Sequence, residues 1–292
     1  MRKLFLFLFI LLGVTEYSIS EYDFSNEPID IVIPCVKKDL PILRLCINGI
    51  KKNCTNIGRI IVISPERLTH NAEWFPESHF PFTIDDVAYY LLQENANLAK
   101  SFVAESNSRA GWYYQQLLKL YAPFVIPNIS SNVLVVDADT VFLNPVVFTN
   151  SQNGGLYNPG TEYFKEYFNH IERLTDGLVC KLYPQHSGIS HHMLFQRPVL
   201  EDLFNLIESI HNMDFWMAFC SMVDPSSLRS SGASEFELYF NFVMSRSKRV
   251  GIRKLKWENI RNPKELKKYK KKKYHYISCH SYQRVTKPKK RK

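Results

Sequence analysis

The sequence predicts an α/β fold with a mostly parallel sheet, and two patterns predict it. The continuous β-branched run VLVV at residues 133–136 is typical of a strand buried on both faces, as the central strands of parallel sheets are. Nearer the amino terminus, two apolar runs at residues 30–34 and 59–64 flank a segment with helical spacing. That strand, helix, strand order indicates a βαβ unit, in which the two strands are parallel.

The length and the charge distribution limit the possible functions. The chain has 292 residues, which is enough for one large α/β domain or at most two. Its formal net charge is +9, but from Trp257 onward 14 Lys and Arg stand against 2 acidic residues, so the preceding part is slightly negative. We therefore expect no nucleic-acid binding by the fold, although the basic tail has the charge to contact an anionic membrane surface.

The first 20 residues have the pattern of a secretory signal peptide. Arg2 and Lys3 precede an apolar core at residues 4–14, which is too short to span a membrane, and Ser18 and Ser20 form a small-x-small cleavage site. A signal anchor is the alternative. We expect an exported protein, in a periplasm, outside the cell or in a secretory-pathway lumen, with a catalytic domain at residues 21–284 and a basic tail at 285–292. Export would permit disulfides among the six cysteines, and no CxxC pair suggests zinc.

The amino-terminal elements follow in order. Residues 39–53 are predicted to form a helix, with Asp39 as its candidate cap. Residues 65–92 are interpreted as a loop with one short helix. Asn53 and Asn128 begin formal glycosylation sequons, which matter only in a eukaryotic secretory pathway.

A second helix is predicted at residues 109–121, immediately before the central strand. Leu117, Leu118 and Tyr121 can pack on the sheet. Another face of this helix carries Arg109, Trp112, Gln115 and Lys119. These side chains are suited to a nucleotide base and a diphosphate, and a solvated face with an aromatic anchor is the alternative.

Two carboxylates, Asp137 and Asp139, stand at the carboxyl end of the central strand. Ligands of open α/β sheets bind beyond this end. The period of two along a strand predicts that both side chains point to the same side. Because close carboxylates repel, we expect a cation between them, Mg²⁺ or Mn²⁺, with diphosphate oxygens as further ligands. A solvated turn capped by Asp137 is the alternative.

The second half of the chain is predicted from the same periodicities. Residues 161–174 are interpreted as a helix with Phe164, Phe168 and Ile171 facing inward, and residues 183–196 as a loop that leads into a strand. Further helices are predicted from Arg197 and within residues 215–223 and 230–245, late strands within 250–257 and 274–279, and solvated charge runs at 264–273 and 287–292.

Four segments, in this order, carry a resemblance to a known family. They are GWYYQQLLKL at residues 111–120, VLVVDADTVFLNP at 133–145, HSGISHHMLF at 186–195 and SEFELYFNFV at 234–243. With the first two strands they resemble the nucleotide-sugar transferases of the GT-A fold over residues 28–283. The chain is particularly similar to a little-characterised group of predicted bacterial glycosyltransferases, and more distantly to the glycogenin-like galactosyl- and glucosyltransferases.

The resemblance implies a Rossmann-like sheet of the GT-A type and sugar transfer from a UDP- or GDP-linked donor to a glycan, lipid or protein acceptor. It implies Mn²⁺ or Mg²⁺ at Asp137, Asp139 and His280, with His275 as the second choice of histidine. The catalytic candidates near the acceptor are Glu235 and His191, with His186 and His192 as alternatives to His191. The donor is expected to contact Pro34, Ser64, Arg109, Trp112, Gln115, Lys119, Asp137 and Ala138.

Three points stay open. Adjacent strand residues face opposite sides, so at most one of His191 and His192 reaches the substrate, and Glu235 also stands where a helix cap would. The segment from Asp137 to Val141 fits the signature of haloacid-dehalogenase-like phosphatases, in which the first Asp is the nucleophile. That fold needs a later acidic pair, whereas Asp85-Asp86 precedes the strand. A non-catalytic exported binding protein on the same scaffold is the other alternative.

Overall fold

A computed structural model describes residues 21–284 of the chain. This part has the α/β architecture that the sequence predicts, with a central sheet flanked by helices. The predicted signal peptide, residues 1–20, and the basic tail, residues 285–292, lie outside the described residues. Within residues 21–284, no helix combines the length and the apolar character that a membrane span requires.

The strands and helices have the following bounds. The strands are β1 (Ile29–Pro34), β2 (Ile57–Ser64), β3 (Glu73–Pro76), β4 (Asn132–Val136), β5 (Thr140–Phe142), β6 (Leu156–Tyr157), β7 (His192–Gln196), β8 (Gly251–Ile252), β9 (Trp257–Asn259) and β10 (Tyr276–Ser278). The helices are α1 (Leu40–Asn53), α2 (Ile84–Leu91), α3 (Ala96–Ala104), α4 (Ala110–Val125), α5 (Lys165–Leu174), α6 (Arg197–His211), α7 (Phe215–Ser221), α8 (Glu235–Arg246) and α9 (Leu266–Lys271).

The large sheet has the strand order β3-β2-β1-β4-β7. β1 pairs in parallel with β2 and β4, and β2 pairs in parallel with β3, whereas β7 runs antiparallel to β4. Every residue of β1, β4 and β7 is buried, as expected for strands that are covered on both faces. The prediction of a mostly parallel sheet is confirmed.

The segment 65–92, predicted as loop with one short helix, also contains the edge strand β3. This strand has four residues and ends at Pro76, and the indole of Trp74 donates a hydrogen bond to the carbonyl of Ser64 at 3.0 Å. Proline is tolerated on an edge strand, where its missing N–H is not needed by a neighbour. So short a run has no clear period of two, which is why the sequence did not reveal it.

A second sheet brings the end of the described chain to the end of β4. In this sheet β10 pairs antiparallel with β5 and parallel with β9. The late strand predicted within residues 274–279 is confirmed as β10. The one predicted at 250–257 is wrong as a single strand, because residues 251–252 pair with β6 and residue 257 begins β9.

Two local predictions are corrected. The helix expected from residue 161 begins at Lys165, so Phe164 precedes it and is 40% exposed instead of facing inward. Asp39 stands at the start of α1 but makes no capping hydrogen bond, because its carboxylate accepts one from Arg284. The charge run at 264–273 is not buried, as predicted, and it contains the short helix α9.

Asn53 is not an accessible glycosylation site. Its side-chain amide is buried and donates hydrogen bonds to the carbonyls of Gly49 and Phe142 at 3.1 and 2.8 Å. A glycan on this nitrogen would break both bonds and would have no room. Asn128 is exposed, so only the second sequon remains available.

Candidate active site

The Asp137-Ala138-Asp139 triplet forms a tight turn between β4 and β5. The N–H of Thr140 donates to the carbonyl of Asp137 at 2.9 Å, and the N–H of Asp137 donates to the carbonyl of His191 at 3.0 Å. Because the triplet is a turn and not extended strand, the period of two does not set the directions of its side chains. The two carboxylates have different partners instead.

The first carboxylate belongs to a buried acid–lysine cluster of Lys119, Asp137 and Glu235. The ammonium of Lys119 lies 2.8 Å from Asp137 Oδ1 and 2.7 Å from Glu235 Oε1. It also lies 4.3 Å from the centre of the Phe236 ring. Burial lowers the pKa of Lys119, but the carboxylates of Asp137 and Glu235 outweigh burial and raise it above its ordinary value. The ammonium of Lys119 is therefore positively charged, and it is shielded from solvent between the two carboxylates.

Two helices position this cluster. α4 carries Lys119, and one turn earlier Gln116 accepts a hydrogen bond from the N–H of Glu235 at 3.0 Å. α8 begins at Glu235, and its cap is Ser234, whose hydroxyl accepts from the N–H of Glu237 at 3.2 Å. Ser234 is therefore the residue that caps α8, and the side chain of Glu235 belongs to the acid–lysine cluster instead. Lys119 is 5% exposed, so the alternative interpretation of this helix face as solvated does not hold for Lys119.

The second carboxylate belongs to a separate histidine cluster. Asp139 Oδ2 lies 3.0 Å from Nδ1 of His280, and Asp139 Oδ1 accepts from the hydroxyl of Ser278 at 3.0 Å. Burial raises the pKa of Asp139, but the hydrogen bonds from His280 and Ser278 and the charge interactions with the two histidines together outweigh burial, and the pKa is lowered. For His280 burial lowers the pKa and Asp139 raises it by more, so the net direction is upward. Each side chain therefore favours the charged form of the other.

His191 completes this cluster, and His192 does not take part. Nε2 of His191 lies 3.4 Å from Nε2 of His280. His192, the next residue, is buried against the rings of Phe142 and Tyr276 on the other side of β7. This confirms that only one of the two faces the site. Burial lowers the pKa of His191 to about 4, so its imidazole is neutral at pH 7. His186 lies beside Tyr183, outside the cluster.

A loop that precedes His191 is held by Glu237, a residue that the sequence interpretation missed. Its fully buried carboxylate accepts from the hydroxyl of Ser187 at 2.5 Å, from the N–H of Gly188 at 3.1 Å and from the amide of Asn241 at 2.8 Å. A Cβ on Gly188 would lie 2.5 Å from the carbonyl oxygen of Phe236, so only glycine fits there. The Ser234-x-x-Glu237 spacing was a visible signal, but it indicates a capping box rather than a loop anchor.

Arg284, the last described residue, fastens the segment that carries His280. Its guanidinium donates to the carbonyls of Cys279 and Lys38 at 2.7 and 2.8 Å and to the carboxylate of Asp39 at 2.8 Å. The Arg284 and Asp39 side chains are 11% and 14% exposed. The carboxyl-terminal segment is therefore tied directly to the loop before α1.

The predicted donor contacts fall into three places, which are the ends of β1 and β2, the helix α4, and the Asp137-Ala138-Asp139 turn. Pro34 and Ser64 end β1 and β2, and the loops that follow these residues line a cavity of about 480 Å³ through Val36, Lys37, Pro65, Glu66 and Leu68. Ser64 itself is buried and donates to the carbonyl of Glu66 at 2.7 Å. Lys37 and Glu66, which the sequence interpretation did not single out, form an exposed ion pair at 2.6 Å.

Trp112, Gln115 and Lys119 lie on α4, and Arg109 is its N-cap residue. The guanidinium of Arg109 lies 4.3 Å from the centre of the Trp112 ring and donates to the carbonyl of Ser230 at 3.2 Å. Trp112 in turn stacks at 6.5 Å on Tyr167 of α5. Arg109 and Trp112 thus form one surface with each other, and Gln115 is half-buried on the same helix. Ala138, in the middle of the turn, is 5% exposed.

The described residues contain no ready-made group of three or more His, Cys, Asp and Glu side chains that could hold a metal ion. Asp137 is already neutralised by Lys119, whereas the imidazoles of His191 and His280 and the carboxylate of Asp139 are neighbours of one another. Imidazole and carboxylate both suit Mn²⁺. An ion here would take few protein ligands and complete its shell with water or substrate phosphate oxygens, which is usual for the ions of nucleotide sites.

No family model matches the sequence, and no curated protein matches it. Among solved structures, the chain is similar to mouse xyloside xylosyltransferase 1 in its apo form, at 9% identity over 89% of this chain and 100% of that chain, with a TM-score of 0.44. It is also similar to the apo structure of WbbM, a bifunctional glycosyltransferase, at 14% identity over 87% of this chain and 46% of that chain, with a TM-score of 0.39. Because both TM-scores are below 0.5, the function is inferred below from the side chains of the site.

Proposed function

We propose that this chain is a metal-dependent glycosyltransferase of the GT-A type, which moves a sugar from a nucleotide-diphosphate donor to an acceptor hydroxyl. The observation that supports it most is the Asp137-Ala138-Asp139 turn, which joins a buried acid–lysine cluster to a histidine cluster. The turn lies at the carboxyl edge of a parallel sheet, where α/β proteins bind their ligands. A donor diphosphate needs cationic and hydrogen-bonding groups, and both clusters supply them.

The donor nucleotide is proposed to lie along the carboxyl ends of β1, β2 and β4. Val32 of β1 pairs with Val135 of β4, so Pro34 and Asp137, two residues further on, leave the sheet side by side. The cavity of about 480 Å³ follows the ends of β1 and β2 and is large enough for a base and ribose. This arrangement supports a UDP- or GDP-linked donor whose diphosphate reaches the turn.

The metal ion, Mn²⁺ or Mg²⁺, is proposed to bind at the cluster of Asp139, His191 and His280. When bound, it neutralises charge on the departing nucleoside diphosphate. Lys119 pairs with Asp137 at 2.8 Å and adds a positive charge to the donor site. Asp137 is then available to a donor hydroxyl through its exposed part, since its side chain is 27% exposed.

Glu235 has a supporting role in this proposal. Its carboxylate is bonded to Lys119, and the residue is 5% exposed. An acceptor hydroxyl would reach it only with difficulty, because the carboxylate is buried and one of its oxygens contacts the ammonium of Lys119. Glu235 therefore orients Lys119 against Asp137. The acceptor in this proposal is a glycan, a lipid or a protein.

The phosphatase alternative has little support in the geometry. Its required second acidic pair would have to be Asp85-Asp86, but Asp86 caps α2 by accepting from the N–H of Thr83 at 2.8 Å. That carboxylate is committed to a helix start on the surface. A phosphatase would also require Asp137 to act as a nucleophile, while its Oδ1 is held by Lys119.

The test is nucleotide release from a panel of UDP- and GDP-sugars with Mn²⁺ and with EDTA. We expect release of UDP or GDP with Mn²⁺, and a loss of at least about tenfold when EDTA is present. Asp139→Asn should abolish the release, whereas Asp224→Asn, a matched change on the surface, should not. Hydrolysis of phosphate monoesters without nucleotide release would indicate the phosphatase, and binding without turnover would indicate the non-catalytic protein.

A further inference from the structure

Seven exposed lysines surround the short helix α9. They are Lys264, Lys267, Lys268 and the four lysines at 270–273, and we call them the lysine patch. The whole segment 254–273 contains ten Lys and Arg against two Glu, a net charge of +8, whereas residues 21–253 contain 19 basic and 25 acidic residues, a net charge of −6. The positive charge of the described chain is therefore concentrated in one place on an otherwise acidic body.

A folded backbone holds the lysine patch in place. The apolar side chains of the segment, Leu266, Tyr269 and Tyr274, pack against a small buried cluster that includes residues of α1, β5 and β10. The Tyr269 and Tyr274 rings meet edge to face at 5.0 Å, and the ammonium of Lys256 donates to the carbonyl of Lys272 at 3.1 Å. The lysines are therefore exposed on an ordered helix and turn whose apolar side chains face the protein.

Most charges of the patch are not neutralised by the protein. Within residues 21–284, Lys268 forms an exposed ion pair with Glu265 at 3.4 Å, and no other lysine of the patch pairs with an acidic side chain. Lys267 and Lys271 stand four residues apart on α9, where like charges repel and destabilise a helix. An anionic surface against the patch would relieve this repulsion.

The composition of the patch indicates which kind of anion it fits. A lysine ammonium is a point charge without the planar fork with which arginine binds one carboxylate or phosphate, and all seven side chains are lysines. Single-stranded nucleic acid is bound on exposed aromatic rings, whereas Tyr269 and Tyr274 pack on the apolar cluster. Clusters of about four to eight basic residues on an amphipathic helix are instead typical of binding to anionic lipid headgroups.

We propose that the lysine patch docks the protein on the surface of an anionic phospholipid bilayer, by charge and without insertion. Within residues 254–273 no large apolar side chain is exposed, so this segment offers nothing that would enter the hydrocarbon. Glycosyl transfer is not a premise of this inference, because the contact requires neither donor nor acceptor. Docking would also hold the candidate active site near the bilayer, since α9 packs on the cluster that contains Val141, which closely follows the Asp-Ala-Asp turn.

The test is co-sedimentation of the full chain, without nucleotide, with vesicles of phosphatidylcholine and with vesicles of phosphatidylcholine and phosphatidylserine in equal amounts. The neutral vesicles measure any binding that does not depend on lipid charge. We expect binding to the anionic vesicles to be tighter by at least about a hundredfold. The difference should largely disappear between about 0.1 M and about 1 M salt, because the Debye length falls from about 10 to about 3 Å.

Two double variants with the same change in net charge separate the patch from the charge of the whole protein. Lys267→Gln with Lys271→Gln should weaken binding to the anionic vesicles about fivefold per lysine, or about 25-fold together. Its melting temperature should not fall, because a pair of like charges is removed from α9. The matched control is Lys100→Gln with Lys165→Gln, two exposed lysines on other helices, and it should bind as the parent does.

Any of four results would overturn the proposal. They are equal binding to neutral and anionic vesicles, binding that is unchanged at about 1 M salt, an equal loss in both double variants, and tighter binding of an oligonucleotide or an acidic polysaccharide than of the anionic vesicles at equal concentrations of negative charge.

A chain that ends at Arg284 separates the lysine patch from the basic tail at 285–292. This chain should still prefer anionic over neutral vesicles by at least about tenfold, because all seven lysines of the patch remain. If the truncated chain loses the preference while the Lys267→Gln, Lys271→Gln variant binds as the parent does, the docking segment is the tail and the proposal for α9 is wrong.

Discussion

The ammonium of Lys119 lies 2.8 Å from Oδ1 of Asp137, at the turn where the sequence predicts a metal ion. The cation that neutralises this carboxylate is thus part of the polypeptide. Glu235 lies on the other side of the same ammonium at 2.7 Å, so one buried positive charge serves two carboxylates. This arrangement links α4, α8 and the β4–β5 turn by charge as well as by packing.

Replacing Lys119 by Met should destabilise the protein by about 3–5 kcal/mol, since it leaves two carboxylates close together with no cation. The free energy of unfolding in urea at pH 7 measures the loss. Adding Glu235→Leu to Lys119→Met should recover part of it, because the second change removes one of the unpaired charges. Equal stability of the parent and Lys119→Met would show that the ion pairs contribute nothing.

Removing residues 285–292 should leave thermal stability and donor turnover unchanged, because Arg284 and His280 remain. Removing Arg284 as well deletes its bonds to Asp39 and to two carbonyls, each worth about 1–3 kcal/mol for a charged donor. We expect that longer truncation to lower the melting temperature and donor turnover together. Loss of turnover already in the shorter truncation would mean that the basic tail takes part in the chemistry.

Glu237→Gln should loosen the loop that leads to His191. The carboxylate is fully buried and accepts from Ser187, Gly188 and Asn241, and an amide cannot accept all three bonds. We expect a loss of about 1–3 kcal/mol in stability and faster hydrogen exchange at residues 187–190. Exchange at β2, three positions from β7 in the strand order, serves as the internal control; equal acceleration there would indicate general unfolding.

Acid should destabilise the protein through His170. Its Nε2 donates to the carbonyl of Phe219 at 2.8 Å, and burial lowers its pKa to about 4. Below about pH 6.5, His170 binds a proton in the unfolded chain but not in the folded one. The free energy of unfolding therefore decreases as the pH falls from about 6.5 to about 4, by up to about 1.4 kcal/mol per pH unit.

The matched variant is His170→Gln, which keeps a donor but does not titrate. Between about pH 6.5 and about pH 4, the free energy of unfolding of this variant should fall less steeply than that of the parent. The difference between the two slopes should correspond to the binding of up to about one proton per molecule on unfolding. Parallel curves for the two proteins would mean that His170 is protonated in the folded state.

The sequence was most informative where burial is continuous. The run at residues 133–136 and the spacing around Leu117 are determined by the core alone, so β4 and α4 could be predicted, and the βαβ order predicted the parallel pairing of β1 with β2. The position of the Asp-Ala-Asp turn at the sheet edge followed from the same pattern.

The polar partners could not be predicted in the same way. Lys119 and Glu235 are 116 residues apart, and Asp139 and His280 are 141 residues apart. Periodicity tells which face of a helix is buried, but not which charge it meets there. Glu237 was missed for this reason, because its Ser-x-x-Glu spacing has a sufficient local explanation as a cap, whereas its actual partners come from a loop about 50 residues earlier.

His280 is synthesised long after its partner Asp139, because the two residues are 141 positions apart in the chain. All five strands of the large sheet have been synthesised once Gln196 has been added. A ribosome that adds about 5–20 residues per second needs roughly 7 to 28 seconds for the 141 residues between Asp139 and His280. During that interval the scaffold can begin to fold while Asp139 has no imidazole partner. A nascent chain therefore passes through a stage in which the large sheet can form before Asp139 meets His280.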